Sequence, residues 1–242
     1  MSEYSQEKHR RILLKLSGEV LGGDSLGIDP SILAKIGDEI AKIQVSGVQI
    51  ALVIGGGNIF RGAALQKAGL DRVAGDQMGM LATMINGLAL RDELTRQGIR
   101  AVLMSPHSVP SICMQYQAVL GRDILSLGSV LILAGGTGSP LFTTDTTAVL
   151  RGVELGCDEV LKGTKVDGVY SADPVKNPNA TFYPRITYEK VLEQKIEVMD
   201  LTAFTLAREN NMPIRVFNMN KEGALMRAAT GGDEGSLVSA KE

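Results

Sequence analysis

An apolar run, Ile50 to Ile54, ends in three consecutive glycines, Gly55, Gly56 and Gly57, and Arg61 follows closely. A turn without Cβ atoms lets backbone N–H groups approach an anion, and an arginine adds a planar fork of donors that suits phosphate. The competing reading, a tight turn whose glycines serve a positive φ, leaves Arg61 without a purpose. A second candidate is Lys15, within Leu13-Leu14-Lys15-Leu16-Ser17-Gly18. A lysine in an apolar run is costly to bury unless an anion meets it. It reads either as a cation for a transferring phosphoryl group or as a side chain that snorkels from a strand end. The chemistry suggested is phosphate handling, but not by a Walker loop, because G-x-x-x-x-G-K-[ST] occurs nowhere in the chain.

A second glycine loop, Gly135-Gly136-Thr137-Gly138-Ser139-Pro140, runs into Leu141-Phe142-Thr143-Thr144-Asp145 at an expected helix start. Helix N-termini favour anions, and the hydroxyls can donate to a phosphate or a sugar. Here the alternative is a simple capping cluster. Asp145 has two possible tasks, to orient lysines or to sit near Mg²⁺. Asp76, after Gly75, is either an N-cap or an acceptor for a ribose hydroxyl. A third segment, Leu161 to Pro174, carries Lys162, Thr164, Lys165, Tyr170 and Asp173 after a strand end. It reads as a nucleotide clamp, with lysine on phosphate, Tyr170 beside a base and Asp173 on a ribose or base edge, or else as a charged surface hairpin. No nucleophile motif is present, and phosphoryl transfer needs none, since the protein there positions groups and neutralises charge.

These loops must be held by regular elements. Strands are expected at residues 12–16, 48–54, 99–104, 130–134, 159–161, 214–217 and 236–238. Helices are expected from Pro30, capped by Asp29, to the glycine at 47, and over 75–97, 115–127, 145–155, 187–195, 203–210 and 221–228. In the helix over 75–97, Met80, Leu81, Met84, Leu88 and Leu94 are expected to point inward. Strands and helices alternate, so the fold class is α/β with a mostly parallel sheet covered on both faces. Ligands in such sheets bind at the carboxyl ends of strands, where every loop named above lies.

The chain has 242 residues, 44% of them hydrophobic, which suits one sizeable core; residues 11–242 are expected to form one domain behind a flexible tail, 1–10. Net charge is −2 with no long basic run, which argues against nucleic acid as the main partner. Cys113 and Cys157 are expected as buried, unpaired residues. No leader or membrane span is expected, and the default setting is cytoplasmic and reducing.

Together the segments K-L-S-G, G-G-G-N-x-F-R-G, G-D-x-M-G-M-L-A-T, G-T-G-x-P-x-F-T-T-D and K-x-T-K-V-D-G-V-Y-x-x-D-P resemble the bacterial UMP kinases of the amino-acid-kinase superfamily, over nearly the whole chain. The resemblance implies a three-layer α/β/α sandwich that phosphorylates UMP to UDP with ATP and Mg²⁺ in pyrimidine nucleotide synthesis. It implies that Lys15, Leu16, Ser17, Gly18, Gly57, Arg61, Thr164, Tyr170 and Asp173 contact ATP. It implies that Gly56, Asp76, Thr137, Gly138, Ser139, Pro140, Leu141, Phe142, Thr143 and Thr144 hold UMP. Lys15 and Lys162 would stabilise the phosphoryl group in flight, oriented by Asp145, with Lys165 as a rival to Lys162. A hexamer activated by GTP and inhibited by UTP is implied, with Gly22, Gly23, Asp24, Ser25, Leu26 and Gly27 as the GTP-responsive loop. A non-catalytic nucleotide sensor would have no need to keep Lys15, Lys162 and Asp145 together. A dinucleotide-dependent oxidoreductase would want G-x-G-x-x-G where Leu16-Ser17-Gly18-Glu19 stands.

Overall fold

The computed structural model describes residues 9–22, 27–60 and 69–241. Arg61 and Gly23, Asp24, Ser25 and Leu26 lie outside the described residues.

The sheet is built around β1 (Arg11–Leu16), buried from Ile12 to Leu16. It pairs in parallel with β2 (Gln49–Ile54) on one side and β6 (Glu159–Thr164) on the other. Beyond β2 lie β5 (Val130–Leu133), β3 (Ala101–Ser105) and β4 (Met114–Gln115). Beyond β6 lie β10 (Ile214–Asn218), β11 (Ser236–Ser239) and β9 (Arg185–Thr187). Every pairing in this sheet is parallel except β10 with β11. Central parallel strands are covered on both faces, which is why they appear in the sequence as unbroken apolar runs. A separate antiparallel pair joins β7 (Val169–Tyr170) to β8 (Phe182–Tyr183).

Side chains alternate across the sheet and feed two cores. Ile12, Leu14 and Leu16 pack with residues of α1 (Gly18–Gly22), α2 (Pro30–Val45), α3 (Arg72–Arg96) and α8 (Ala224–Ala229). Leu13 packs on the other face with α4 (Ala118–Ser126), α5 (Thr144–Leu155), α6 (Tyr188–Glu193) and α7 (Leu201–Glu209). The expected three-layer sandwich is therefore observed, and alternation sends Lys15 to the same face as Leu13. Cys113 and Cys157 are both buried and unpaired.

The start of α2 is as expected, with Asp29 accepting from the N–H groups of Ser31 and Ile32 ahead of Pro30. The start of α3 is not. Asp71 is its cap, accepting from Ala74 N–H, so Asp76 lies inside the helix with its carboxylate released from capping. Two of the expected inward residues of α3 also point out: Leu81 is 58% and Leu88 37% exposed, with Met78 and Ile85 exposed beside them. Apolar residues occupy both faces of this helix, so periodicity alone could not choose the core side. The strands β4, β7, β8 and β9 are only two or three residues long, too short to leave a pattern.

Candidate active site

Lys15 and Lys162 are partners in the parallel register of β1 and β6. Both side chains therefore leave the same face of the sheet at the same level, near the carboxyl ends of their strands. Asp145, in the first turn of α5, meets both. Its Oδ1 lies 2.9 Å from Lys15 Nζ and its Oδ2 2.6 Å from Lys162 Nζ. The Lys15 contact is an ion pair without hydrogen-bond alignment, so Oδ1 keeps an unfilled acceptor position. Lys162 Nζ also donates to the Val198 carbonyl at 2.6 Å. Burial acts to raise the Asp145 carboxyl, but the two ammonium groups outweigh it and hold it below the usual carboxylate range. Lys162 is pushed below the usual lysine range, by burial first and by the like charge of Lys15, against the pull of Asp145. Two buried cations share one anion, so the cluster carries an excess positive charge that an incoming phosphate would relieve.

The same geometry bears on a divalent metal. Both Asp145 oxygens face lysines, and the described residues hold no group of three or more His, Cys, Asp or Glu side chains suited to a metal ion. This donor set fits a cation carried by the phosphates of a nucleotide rather than by a protein cage, the usual arrangement for Mg²⁺ with nucleotides.

The triple glycine continues β2, with Gly55 N–H donating to Leu16 O at 2.9 Å. None of Gly55, Gly56 and Gly57 has a positive φ, so a turn requirement does not explain them. Close approach does. A Cβ on Gly18 would lie 2.6 Å from Gly57 N and 2.8 Å from Gly55 O, and one on Gly56 would lie 2.9 Å from Gly79 O. The loop is thus wedged between the end of β1 and α3. Leu16 is buried at the end of β1, and Ser17 Oγ accepts from Glu19 N–H at 3.3 Å at the entry to α1.

Two asparagines that sequence reasoning passed over fix this loop. Asn86 of α3 donates to Gly55 O at 2.8 Å and to Asn58 Oδ1 at 2.7 Å. Asn58 returns a bond to Asn86 Oδ1 at 3.0 Å and donates to Gly27 O at 2.6 Å. Both side chains are buried. A signal existed, since a polar Asn86 interrupts the core stripe of α3 between Met84 and Leu90. Asn86→Ala would strand Gly55 O and one Asn58 oxygen, each a loss of about 1–3 kcal/mol. Chemical denaturation of the variant is expected to show at least the lower end of that range.

Gly56, Gly57, Asp76, Thr83, Thr143 and Thr144 are among the residues lining a cavity of about 370 Å³. The structure brings Gly56, Asp76, Phe142, Thr143 and Thr144 together here, as the resemblance implied for UMP; Gly57, assigned to ATP, lines the same cavity. Thr137, Gly138, Ser139, Pro140 and Leu141 form the outer part of the loop. Thr137 Oγ1 is occupied with Ser139, accepting its N–H and donating to its carbonyl at 3.1 Å. Gly135, Gly136 and Gly138 have φ of 76°, 61° and 89°, which glycine tolerates best. Thr143 caps α5 through the N–H groups of Asp145 and Thr146 and also donates to Asp200. Asp200, another residue the sequence did not single out, also takes Thr146 Oγ1 at 2.9 Å and caps α7. It stands with Asp145 and Lys162 on a neighbouring cavity of about 530 Å³.

Lys165 is not at the cluster. It lies with Thr164, Glu19, Met219 and Lys221 on a separate groove of about 740 Å³ between α2 and the end of β10. Tyr170 sits in β7 with its ring 5.2 Å from that of Phe182. Asp173 Oδ1 accepts from Val175 N–H at 2.9 Å within an exposed turn, and its other oxygen is 3.6 Å from Lys176 Nζ. Gly22 closes α1 and Gly27 opens the next described stretch, with Gly27 N–H donating to Asn58 O at 3.0 Å.

The model of the amino acid kinase family matches residues 10–218 of the chain. A uridylate kinase of Yersinia pestis (strain Pestoides F) is 54% identical over 240 residues, covering 99% of this chain and all of the relative. A uridylate kinase of Saccharophagus degradans is 54% identical over 243 residues, covering 100% of this chain and 98% of the relative. Among solved structures, UMP kinase from Bacillus anthracis superposes with a TM-score of 0.93 at 36% identity, covering 97% of each chain. With the Lys15–Asp145–Lys162 cluster in place beside the glycine loops, the chain belongs to the amino acid kinase family, in its uridylate kinase branch.

Proposed function

We propose that this chain transfers the γ-phosphoryl group of ATP to UMP, giving ADP and UDP, in pyrimidine nucleotide synthesis leading to CTP. The observation that carries the reading is the pair of buried ammonium groups held by Asp145 beside the loop that closes the 370 Å³ cavity. Lys15 and Lys162 neutralise charge on the phosphoryl group as it passes from donor to acceptor, and Asp145 keeps both aimed. Gly56, Asp76 and residues 137–144 hold UMP. Lys15 to Gly18, Gly57, Arg61, Thr164, Tyr170 and Asp173 hold ATP. The UMP phosphate is the nucleophile, so no side chain need attack. Kinase activity with ATP requires a divalent metal; we assign Mg²⁺, bound to the ATP phosphates, where it supplies further charge neutralisation.

The remaining assignments belong to the same proposal. Residues 11–242 act as one domain in the cytoplasm, where two unpaired cysteines suit a reducing medium. A hexamer is supported by the exposed stripe of Met78, Leu81, Ile85 and Leu88 on α3, an apolar face of the kind that partners cover. GTP activates and UTP inhibits; the contacts from Gly27 to Asn58 give the Gly22–Gly27 loop a path to the triple glycine.

A coupled assay of ADP release tests the reading with ATP, Mg²⁺ and each of UMP, CMP, AMP and GMP. Turnover with UMP is expected to exceed that with the others by orders of magnitude. Equal or absent turnover with UMP would sink it.

A further inference from the structure

Arg72 is absent from every role assigned so far, yet it lines the 370 Å³ cavity. It occupies the first position of α3, one turn before Asp76. Its Nε lies 3.2 Å from Asp76 Oδ1 and 3.1 Å from Oδ2. From the opposite side Leu141 N–H donates to Oδ2 at 2.8 Å. Leu141 has φ of 74°, a left-handed conformation disfavoured for a residue with a Cβ, so the loop adopts an unfavourable backbone angle where it makes this contact. The Asp76 carboxylate is thereby fixed from two directions, with acceptor capacity left on Oδ1.

Only the Nε donor of Arg72 is used in that contact. Its two terminal amino groups have no hydrogen-bond partner among the described residues. A carboxylate that only accepts and a guanidinium that only donates therefore stand side by side on the cavity wall. A hydroxyl is the group that answers both, because it donates one hydrogen bond and accepts others. A bare phosphate would be repelled by Asp76, and a base edge with only carbonyl oxygens would leave Asp76 unanswered. On the reading of UMP as acceptor, on which this inference rests, the hydroxyls available are those of the ribose.

We propose that Arg72 is a substrate-binding residue that reads a ribose hydroxyl jointly with Asp76, and so makes the enzyme select ribonucleoside over deoxyribonucleoside monophosphates. Asp76 takes the proton of the hydroxyl, and an Arg72 amino group donates to its oxygen.

The test measures kcat/KM for UMP, 2′-deoxy-UMP and 3′-deoxy-UMP with wild type, Arg72→Ala and Arg72→Lys. Wild type is expected to favour UMP over at least one deoxy analogue by about tenfold or more, since a missing hydroxyl leaves Asp76 without its donor and the Arg72 amino group without its acceptor on the cavity wall. Arg72→Ala is expected to lower kcat/KM for UMP and bring that ratio toward one, and Arg72→Lys to fall between. A merely structural role would lower all three substrates by a common factor. An unchanged ratio in Arg72→Ala, or a wild type that does not discriminate, overturns the proposal. Arg72 is 56% exposed on its side chain, so a retained thermal transition is expected and serves as the folding control. Wild type that turns over no uridine monophosphate would sink the broader reading instead. In that event equilibrium binding of the same three nucleotides to the same variants still decides the role of Arg72.

Discussion

Asp145→Asn is expected to lower kcat by about two to three orders of magnitude, in line with the loss of a group that organises charge at a transferring phosphoryl. The reason lies in the count of charges. The wild-type cluster has two ammonium groups and one carboxylate, with Lys15 at 2.9 Å and Lys162 at 2.6 Å from its oxygens. With an amide there, the ammonium groups face each other uncompensated, and Lys162, already below the usual lysine range, would shed its proton more readily still. Steady-state assays at saturating UMP and ATP would register this as a fall in kcat. Titration of stability gives an independent reading. The carboxyl is lower in the folded than in the unfolded chain, so it stabilises the fold above its ordinary value near 3.8 and that contribution fades as pH drops below it. Acid unfolding of Asp145→Asn should lack this part of the pH dependence. Wild-type turnover in the variant would show that the cluster is not the reaction centre.

Gly18→Ala should be the most damaging single methyl in the site. The added carbon would meet Gly57 N at 2.6 Å, Asn58 Oδ1 at 2.7 Å and Gly55 O at 2.8 Å. Two of these are backbone atoms, so no rotamer can give way. The loop after β1 and the loop after β2 must separate, and displacements near 1 Å are enough to cost about 10²-fold in a positioned reaction. The expectation is a fall in kcat/KM for ATP of that order or more, with a smaller effect on the melting temperature. An alanine variant with full activity would mean that the two loops need not touch.

How far the sequence could be read depended on how local each signal was. Apolar runs such as Leu13–Leu14 and Ile50–Ile54 marked buried parallel strands, because each is covered on both faces. Asp29-Pro30 marked the start of α2 because the cap is made within three residues. The start of α3 was harder, since Asp71 and Asp76 are both plausible caps and only the tertiary contact of Asp76 with Leu141 N–H separates them. The outward face of α3 misled for a different reason. Leu81 and Leu88 are apolar like Met80 and Met84, and the chain's own core does not account for them. Phosphate handling was suggested by the glycines and Lys15, while the finding that Lys162 and not Lys165 meets Asp145 required the register of β1 with β6. Asn58, Asn86 and Asp200 were not singled out, because each acts through a partner far away in sequence; Arg72 pairs locally with Asp76, but its place on the cavity wall is set by the fold.

The register of Lys15 with Lys162 has a consequence for how such an enzyme can diversify. Both cations belong to hydrogen-bonded neighbouring strands, so the backbone positions that carry them stand one sheet spacing apart, about 4.8 Å, and are not set by any loop. The parts that line the cavity proposed for the acceptor, by contrast, are Gly56, Gly57 and Phe60 after β2, the first turns of α3, and Gly136 with Phe142, Thr143 and Thr144. On the proposed assignment, reaction and recognition are thus divided between a rigid lattice and exchangeable segments. A new acceptor could be accommodated by rewriting those segments alone, with the two lysines and their carboxylate carried over untouched.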